Sequence, residues 1–295
     1  MSSSGLHPES LESLGWGQLV WKRFLSNRIA VVGGALMGVF LIVAVLAPWV
    51  APHDPLKQDL YGRLATPTLE HPFGTDDFGR DILSRVIYGT RISLRIGVVC
   101  VLIALVIGTV IGLVAGFYGG VADQVLMRFM DLMLAFPSIL LAIGIVAVLG
   151  PGLENAMIAI GVVAIPQYAR LIRASTLSVR EADYVQALRA LGANDARILR
   201  TAILPNCLAP LIVQATLGLA TAILDAAGLS FLGLGAQPPT PEWGAMLSGG
   251  RELILSAPWV LTYPGVAIFV TVLAFNLLGD GLRDAFDPKT VISKH

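Results

Sequence analysis

Long apolar runs separated by polar segments dominate this chain and predict membrane-spanning helices. A hydrocarbon core of about 30 Å needs roughly 20 helical residues. Six runs come close to that length: Ile29–Ala51, Ile92–Phe117, Asp131–Leu149, Asn155–Ile172, Cys207–Phe231 and Pro258–Leu278. Outer-membrane barrels show alternating segments of about ten residues instead. The pattern therefore predicts an all-α integral membrane protein with about six transmembrane helices.

Composition and charge placement support this prediction and add an orientation. Apolar residues make up 55% of the chain, charged residues only 14%, and the mean hydropathy is +0.75. Cytoplasmic loops carry the excess of Lys and Arg. Placing both termini inside puts thirteen of the 20 basic residues in the cytoplasm. The sequence thus predicts an N-in, C-in topology.

The predicted spans divide the chain into segments of different character. The segments are a cytoplasmic tail with an interfacial helix (1–28), a first span (29–51), an outer loop (52–91), a helical core (92–282) and a cytoplasmic C-terminal tail (283–295). The core contains a cytoplasmic segment, 174–205, and a second outer loop, 233–257. A disordered leader is the alternative for the N-terminal tail. An outer loop of about forty residues is uncommon unless it is functional.

Several kinds of chemistry are missing from the sequence. No Gly-Lys pair occurs, so there is no P-loop for ATP, and no H-E-x-x-H or G-x-S-x-G motif is found. The four histidines, His7, His53, His71 and His295, are scattered without metal-ligand spacing. A net charge of zero argues against a nucleic-acid partner. We expect no cofactor or metal in this chain and consider an intramembrane enzyme or maturation factor a weak alternative.

Asp225 lies inside the fifth predicted span, where a carboxylate costs about 3 kcal/mol on insertion scales. Such a residue faces protein or water rather than lipid. Two interpretations stay open at this point. Asp225 is either a gate or pathway residue, or a hydrogen-bond partner between helices.

The second span carries Gly108, Gly112 and Gly116 at four-residue spacing, which puts three small residues on one helix face. Such a face allows another helix to approach closely. Ordinary helix packing is the favoured interpretation. A wall facing a translocation path is the alternative.

The cytoplasmic segment predicts two short helices joined by a turn. Good helix formers dominate Val179–Arg200. Gly192 suits a left-handed turn, and Asn194 or Asp195 can cap the helix that follows. Pro205 is expected to stop that second helix just before the fifth span. A solvated connecting loop is the alternative to a docking surface.

This segment resembles the EAA loop of ABC-importer permeases. Gln186–Leu188, Gly192 and Leu204–Pro205 follow the family pattern, and the interval from Gly192 to Pro205 sets the register. In that register Gln186 stands where Glu is usual, and Ala202 where Ile is usual. We call residues 174–205 the coupling loop.

Three further stretches resemble signatures of peptide-importer permeases. They are Gly74–Asp81, Phe231–Gly244 and Asn276–Asp284. Three long signatures in order are more specific than one short motif. The chain therefore resembles the second permease subunit of a dipeptide or oligopeptide ABC importer, a group with close relatives for glutathione or nickel.

The resemblance implies a type I importer fold in the bacterial inner membrane. It implies a second, different permease, two ATPase subunits that bind ATP and Mg²⁺, and an extracytoplasmic substrate-binding protein. The residues expected to couple this chain to the ATPase are Gln186, Ala187, Leu188, Leu191, Gly192, Leu204 and Pro205.

Overall fold

The computed structural model describes residues 16–286, which fold almost entirely into helices. The α-helices are α1 (Trp16–Ser26), α2 (Arg28–Val50), α3 (Ile82–Tyr118), α4 (Gly120–Leu134), α5 (Ser138–Leu149), α6 (Leu153–Arg180), α7 (Asp183–Ala190), α8 (Asp195–Ile198), α9 (Leu204–Phe231), α10 (Trp243–Gly250) and α11 (Trp259–Phe286). Short 3₁₀ turns occur at Leu60–Gly62 and Arg251–Leu253, and a π-helix at Leu199–Ile203. The predicted all-α class is confirmed.

Five helical stretches of the described chain are long and apolar enough to cross a membrane. They are α2, α3, α6, α11 and the stretch from α8 through α9. The predicted third span, Asp131–Leu149, is wrong as a single helix, because α4 and α5 meet at an angle of 94°. Pro137 explains the break, since proline lacks an N–H and disfavours helix in the residue before it. Counted as one span, this bent pair gives the sixth.

Helix bounds differ from prediction where polar residues continue a helix beyond its apolar part. α3 begins at Ile82 rather than Ile92, so the last residues of the predicted outer loop 52–91 are helical. Asp81 caps α3 by accepting a hydrogen bond from the Ser84 amide at 2.8 Å. α6 likewise continues past Ile172, the predicted end of the fourth span, to Arg180, because no Gly or Pro interrupts the residues that follow.

The longest helix contact joins α3 to α6 along the predicted glycine face. An added Cβ at Gly112 would lie 2.5 Å from the Ala169 carbonyl oxygen. At Gly108 it would lie 2.6 Å from Tyr168 Cβ, and at Gly116 2.7 Å from Thr176 Cβ. Real Cβ contacts do not approach so closely. The packing interpretation of these three glycines is therefore confirmed.

The two ends of the chain lie partly outside the described residues. Of the predicted tail 1–28, residues 1–15 are outside them, and the described part forms α1 beside α11. Asn27 Nδ2 donates to Asp284 Oδ2 at 3.0 Å, which links the start of α2 to the end of α11. Of the predicted tail 283–295, the described part is the last turn of α11, and residues 287–295 are outside.

Candidate functional site

The coupling loop begins within the last turns of α6, which end against the end of α3. Arg180 Nη1 donates to the carbonyl oxygens of Gly116 and Phe117, at 3.1 and 3.2 Å. A cation is favourable there because the last carbonyls of a helix lack partners within it and carry negative partial charge. This contact fixes the point from which α7 starts.

After α6, the coupling loop continues with α7 and the turn that follows it. Val185 is fully buried beneath it and Leu188 is partly buried. Gly192 has a φ of +77°, the left-handed conformation that the sequence predicted. The Ala193 amide donates to the Leu188 carbonyl oxygen at 3.0 Å and closes the helix end.

The second half differs from the prediction at its end. Of the two predicted caps, Asn194 is the one that caps α8, accepting from the Arg197 amide at 2.9 Å. Pro205 does not stop the helix, because α8 continues through the π-helix into α9, and Pro205 lies in the first turn of α9. Proline is tolerated there because the regular hydrogen-bond pattern is already interrupted by the π-helix. The coupling loop is thus continuous with a membrane span.

The structure places the seven predicted coupling residues on one helix-turn-helix. Leu188 and Leu204 are half-buried, while the remaining five are exposed: Gln186, Ala187, Leu191, Gly192 and Pro205. Leu191 is 84% exposed, a large apolar side chain at the tip of the turn. Gln186 Nε2 donates a hydrogen bond to the Arg180 carbonyl oxygen at 3.1 Å. The Glu that is usual at this position could not donate this bond, because an ionised carboxylate only accepts hydrogen bonds.

Sequence reasoning missed the residues that hold this segment in place. Val185, Ile198 and Ile203 are all fully buried in one cluster under the coupling loop. Tyr184 was also missed: its hydroxyl accepts from Asn206 Nδ2 at 3.2 Å and joins α7 to α9. The amphipathic spacing of α7 was the available signal for Val185, whereas nothing local pointed to Tyr184.

Asp225 lines a cavity of about 60 Å³ between α3, α5, α6 and α9. The other polar or sulfur-bearing residues of its wall are Cys100, Ser138, Gln167, Tyr168 and Thr221. The cavity is large enough for a few water molecules. Within residues 16–286 no hydrogen-bond or ion-pair partner is found for Asp225. The structure therefore offers the carboxylate a polar cavity rather than a partner on a neighbouring helix of this chain.

The first outer loop is held together by internal ion pairs. Arg80 Nε donates to Asp76 Oδ2 at 2.6 Å, and Arg85 lies 3.6 Å from the same carboxylate. Arg85 Nη1 also donates to the carbonyl oxygen of Pro55 at 3.1 Å. Burial, and next the neighbouring Asp76, raise the pKa of Asp77. These arginines therefore order the loop.

The second outer loop is fixed to the first by two tryptophans. Trp243 is fully buried and donates its ring N–H to the Val86 carbonyl oxygen at 3.1 Å. Trp259 donates in the same way to Thr75 at 3.2 Å. Glu242 caps α10 through the amides of Gly244 and Ala245, and burial raises its pKa. Both outer loops thus form one ordered surface.

The sequence suggested that the four histidines are scattered, but this is wrong for two of them, which the structure brings together. The rings of His53 and His71 lie against each other, with centroids 4.6 Å apart and ring planes tilted by 33°. One potential ligand atom each from His53, Glu70 and His71 lies within 4.8 Å of the other two. The pairing was hidden because the loop between the two histidines brings them together through its fold, not through local spacing.

The sequence matches the family described as "Binding-protein-dependent transport system inner membrane component" over residues 108–292. The chain belongs to this family. A second match, "N-terminal TM domain of oligopeptide transport permease C", covers residues 15–67. The permease is thus a multi-pass protein of the inner membrane and a transport subunit rather than an enzyme.

Curated relatives resemble the permease over most of its length. It is 52% identical over 269 residues to the dipeptide transport system permease protein DppC of Alkalihalophilus pseudofirmus, covering 91% of this chain and 88% of that protein. It is 51% identical to the di/tripeptide permease of Pseudomonas aeruginosa, covering 91% of both chains. The glutathione transport permease GsiD of Escherichia coli is 49% identical, covering 91% of this chain and 89% of its own.

A solved structure has the same fold. Inward-facing MetNI, a methionine ABC transporter, aligns with a TM-score of 0.58 at 22% identity. The alignment covers 70% of the permease and 98% of the MetNI chain. The predicted type I importer fold is confirmed.

Proposed function

We propose that the permease moves dipeptides or oligopeptides across the cytoplasmic membrane as one subunit of an ATP-driven importer. The observation that carries this proposal is 52% identity to a dipeptide permease over 91% of the chain. Glutathione is the second candidate cargo because GsiD is 49% identical. Nickel, the other cargo suggested by resemblance, has less support.

ATP hydrolysis takes place on partner subunits in this proposal. The permease has no P-loop, while the coupling loop presents an exposed apolar residue, Leu191, on a rigid helix-turn-helix. A compact helical surface of this kind suits a groove in a soluble partner. Two ATPase subunits that bind ATP and Mg²⁺ would use it, and the permease itself would hold no cofactor. Because α8 continues into α9, motion of the ATPase would reach the span that carries Asp225.

The other proposed partners would contact other surfaces of the permease. The ordered outer loops 52–91 and 233–257 offer a fixed surface to a substrate-binding protein. A second permease subunit would complete the pathway beside the cavity of Asp225. Exposed apolar side chains on α4 and α5, such as Phe129 and Leu140, would face that subunit or lipid.

Uptake measured in cells that lack this chain and in the same cells complemented with it tests the cargo. We expect complementation to restore uptake of a labelled dipeptide. Tripeptide, glutathione and nickel uptake are measured in parallel as competing cargoes. Restoration of nickel or glutathione uptake without any change for peptides would overturn the peptide assignment.

We propose that Asp225 belongs to the pathway, because its carboxylate lies at a polar cavity without a partner in the described chain. Asp225→Asn keeps the volume and removes the charge. We expect dipeptide uptake to fall at least about fivefold, while the amount of assembled complex stays unchanged or rises, since a charge within a span costs about 3 kcal/mol.

Thr216→Val is the control for Asp225→Asn, because Thr216 lies on the same helix, is half-buried like Asp225 and does not line the cavity. This control should transport like the wild type. Equal uptake by Asp225→Asn and the control, at equal complex levels, would remove Asp225 from the pathway.

A further inference from the structure

We propose that the first outer loop contains a binding site for a divalent transition-metal ion, formed by His53, Glu70 and His71. One ligand atom from each of these residues lies within 4.8 Å of the other two. His53 follows α2, whereas Glu70 and His71 belong to the segment before α3. An ion at this point would tie together two parts of the outer loop.

His71 is held in the orientation of a metal ligand. Its Nδ1 lies 2.9 Å from Asp81 Oδ1, so the carboxylate accepts that proton and leaves Nε2 for an ion. A histidine whose other ring nitrogen donates to a carboxylate is the usual arrangement around protein-bound zinc. Asp81 is itself fixed, since its second oxygen accepts from the Ser84 amide at 2.8 Å and the Ser84 hydroxyl at 2.6 Å. The hydrogen bonds that orient the His71 ring are therefore all made without an ion.

His53 is positioned by the same group of residues. Its backbone amide donates to Ser84 Oγ at 3.0 Å, and its ring lies next to that of His71, tilted by 33°. His53 Nδ1 is buried and has no hydrogen-bond partner in the described chain, and Asp81 Oδ2 is 3.8 Å away. A buried ring nitrogen without a partner is uncommon and leaves this imidazole short of one interaction. A metal ion bound by the ring would supply the interaction that the protein does not.

Glu70 completes the ligand set from the surface. Its side chain is exposed and free to rotate, so it can close the remaining separation on binding. Ligands of a tetrahedral zinc ion lie roughly 3.4 Å apart, given bond lengths of about 2.0–2.1 Å. Two imidazoles and one carboxylate suit zinc, nickel or copper and leave a position for water. Calcium and magnesium prefer all-oxygen sites and do not fit this donor set.

Zinc binding by the purified full-length permease in nanodiscs tests the site. The protein carries a tag without histidines, is stripped of metal, and includes the substitutions His7→Ala and His295→Ala. His53 and His71 are then the only histidines in the chain, which has four in total. We expect this background protein to bind one equivalent of Zn²⁺ by isothermal titration calorimetry and its Tm to rise by several degrees.

His53→Ala and Glu70→Gln in this background should each weaken Zn²⁺ binding at least about tenfold and abolish the Tm rise. Glu252→Gln is the matched control, because Glu252 is an exposed acid in the other outer loop. Size-exclusion profiles check that all variants are folded. Absence of Zn²⁺ binding by the background protein, or unchanged binding after His53→Ala, would overturn the proposal.

Discussion

Substituting Gly112 with valine is expected to prevent the permease from folding. A Cβ at this position would lie 2.5 Å from the Ala169 carbonyl oxygen and 2.8 Å from Ile172 Cβ. One of these neighbours is backbone, so α3 and α6 would have to move apart along their whole contact. Overpacking of a well-packed core costs about 1–3 kcal/mol even where side chains can move. Here we expect a larger free-energy cost, because a backbone atom is involved. It would be seen as a loss of monodisperse protein extracted from membranes.

Gly38→Val provides the matched control for Gly112→Val. Gly38 is also in the interior of a membrane-spanning helix, α2, and an added Cβ would meet no atom within 4 Å among the described residues. Both substitutions carry the same change in helix propensity. We expect near wild-type yield for Gly38→Val. Equal yields for the two variants, measured by fluorescence-detected size exclusion, would show that α3 and α6 do not pack through the glycine face.

Leu191→Asp is expected to release the ATPase subunits from the permease and to lower ATP-driven uptake at least about tenfold. Leu191 is 84% exposed at the tip of the coupling loop, so the substitution should leave folding unaffected. Burying a carboxylate in an apolar groove is unfavourable. Loss of a hot-spot residue at the centre of an interface costs about 2 kcal/mol or more, roughly thirtyfold in Kd. Co-purification of the ATPase subunits and the Tm of the permease measure the two effects separately.

Leu255→Asp is the control for Leu191→Asp, because Leu255 is 96% exposed and lies in the second outer loop, away from the coupling loop. It introduces the same charge on a leucine that is also almost fully exposed. The control should retain the ATPase subunits. Retention by Leu191→Asp at the level of this control would contradict the docking surface.

The spans were predictable because each depends on a local property, a run of apolar residues long enough for the membrane. The left-handed turn at Gly192 and the cap at Asn194 were predictable for the same reason, since both follow from the conformational preferences of single residues. The bend after Leu134 was missed because apolarity continues on both sides of Pro137. Hydropathy alone does not distinguish a straight span from a broken one.

The parts of the site that were missed depend on contacts between distant residues. His53 and His71 meet only because both are anchored near the start of α3, through Ser84 and Asp81. Arg180 reaches the end of α3 across more than sixty residues of sequence. Neither contact produces a periodic pattern in the sequence from which it could be predicted. In contrast, the ion pair of Arg80 with Asp76 joins residues only four positions apart.

The most direct test of the account is ATP-dependent accumulation of a labelled dipeptide in proteoliposomes that contain the purified complex of this permease with its partner subunits and binding protein. We predict accumulation against a gradient with ATP, none with a non-hydrolysable analogue, and a loss of at least about tenfold with Leu191→Asp in the permease. Accumulation that is independent of ATP, or by liposomes containing this chain alone, would contradict the account.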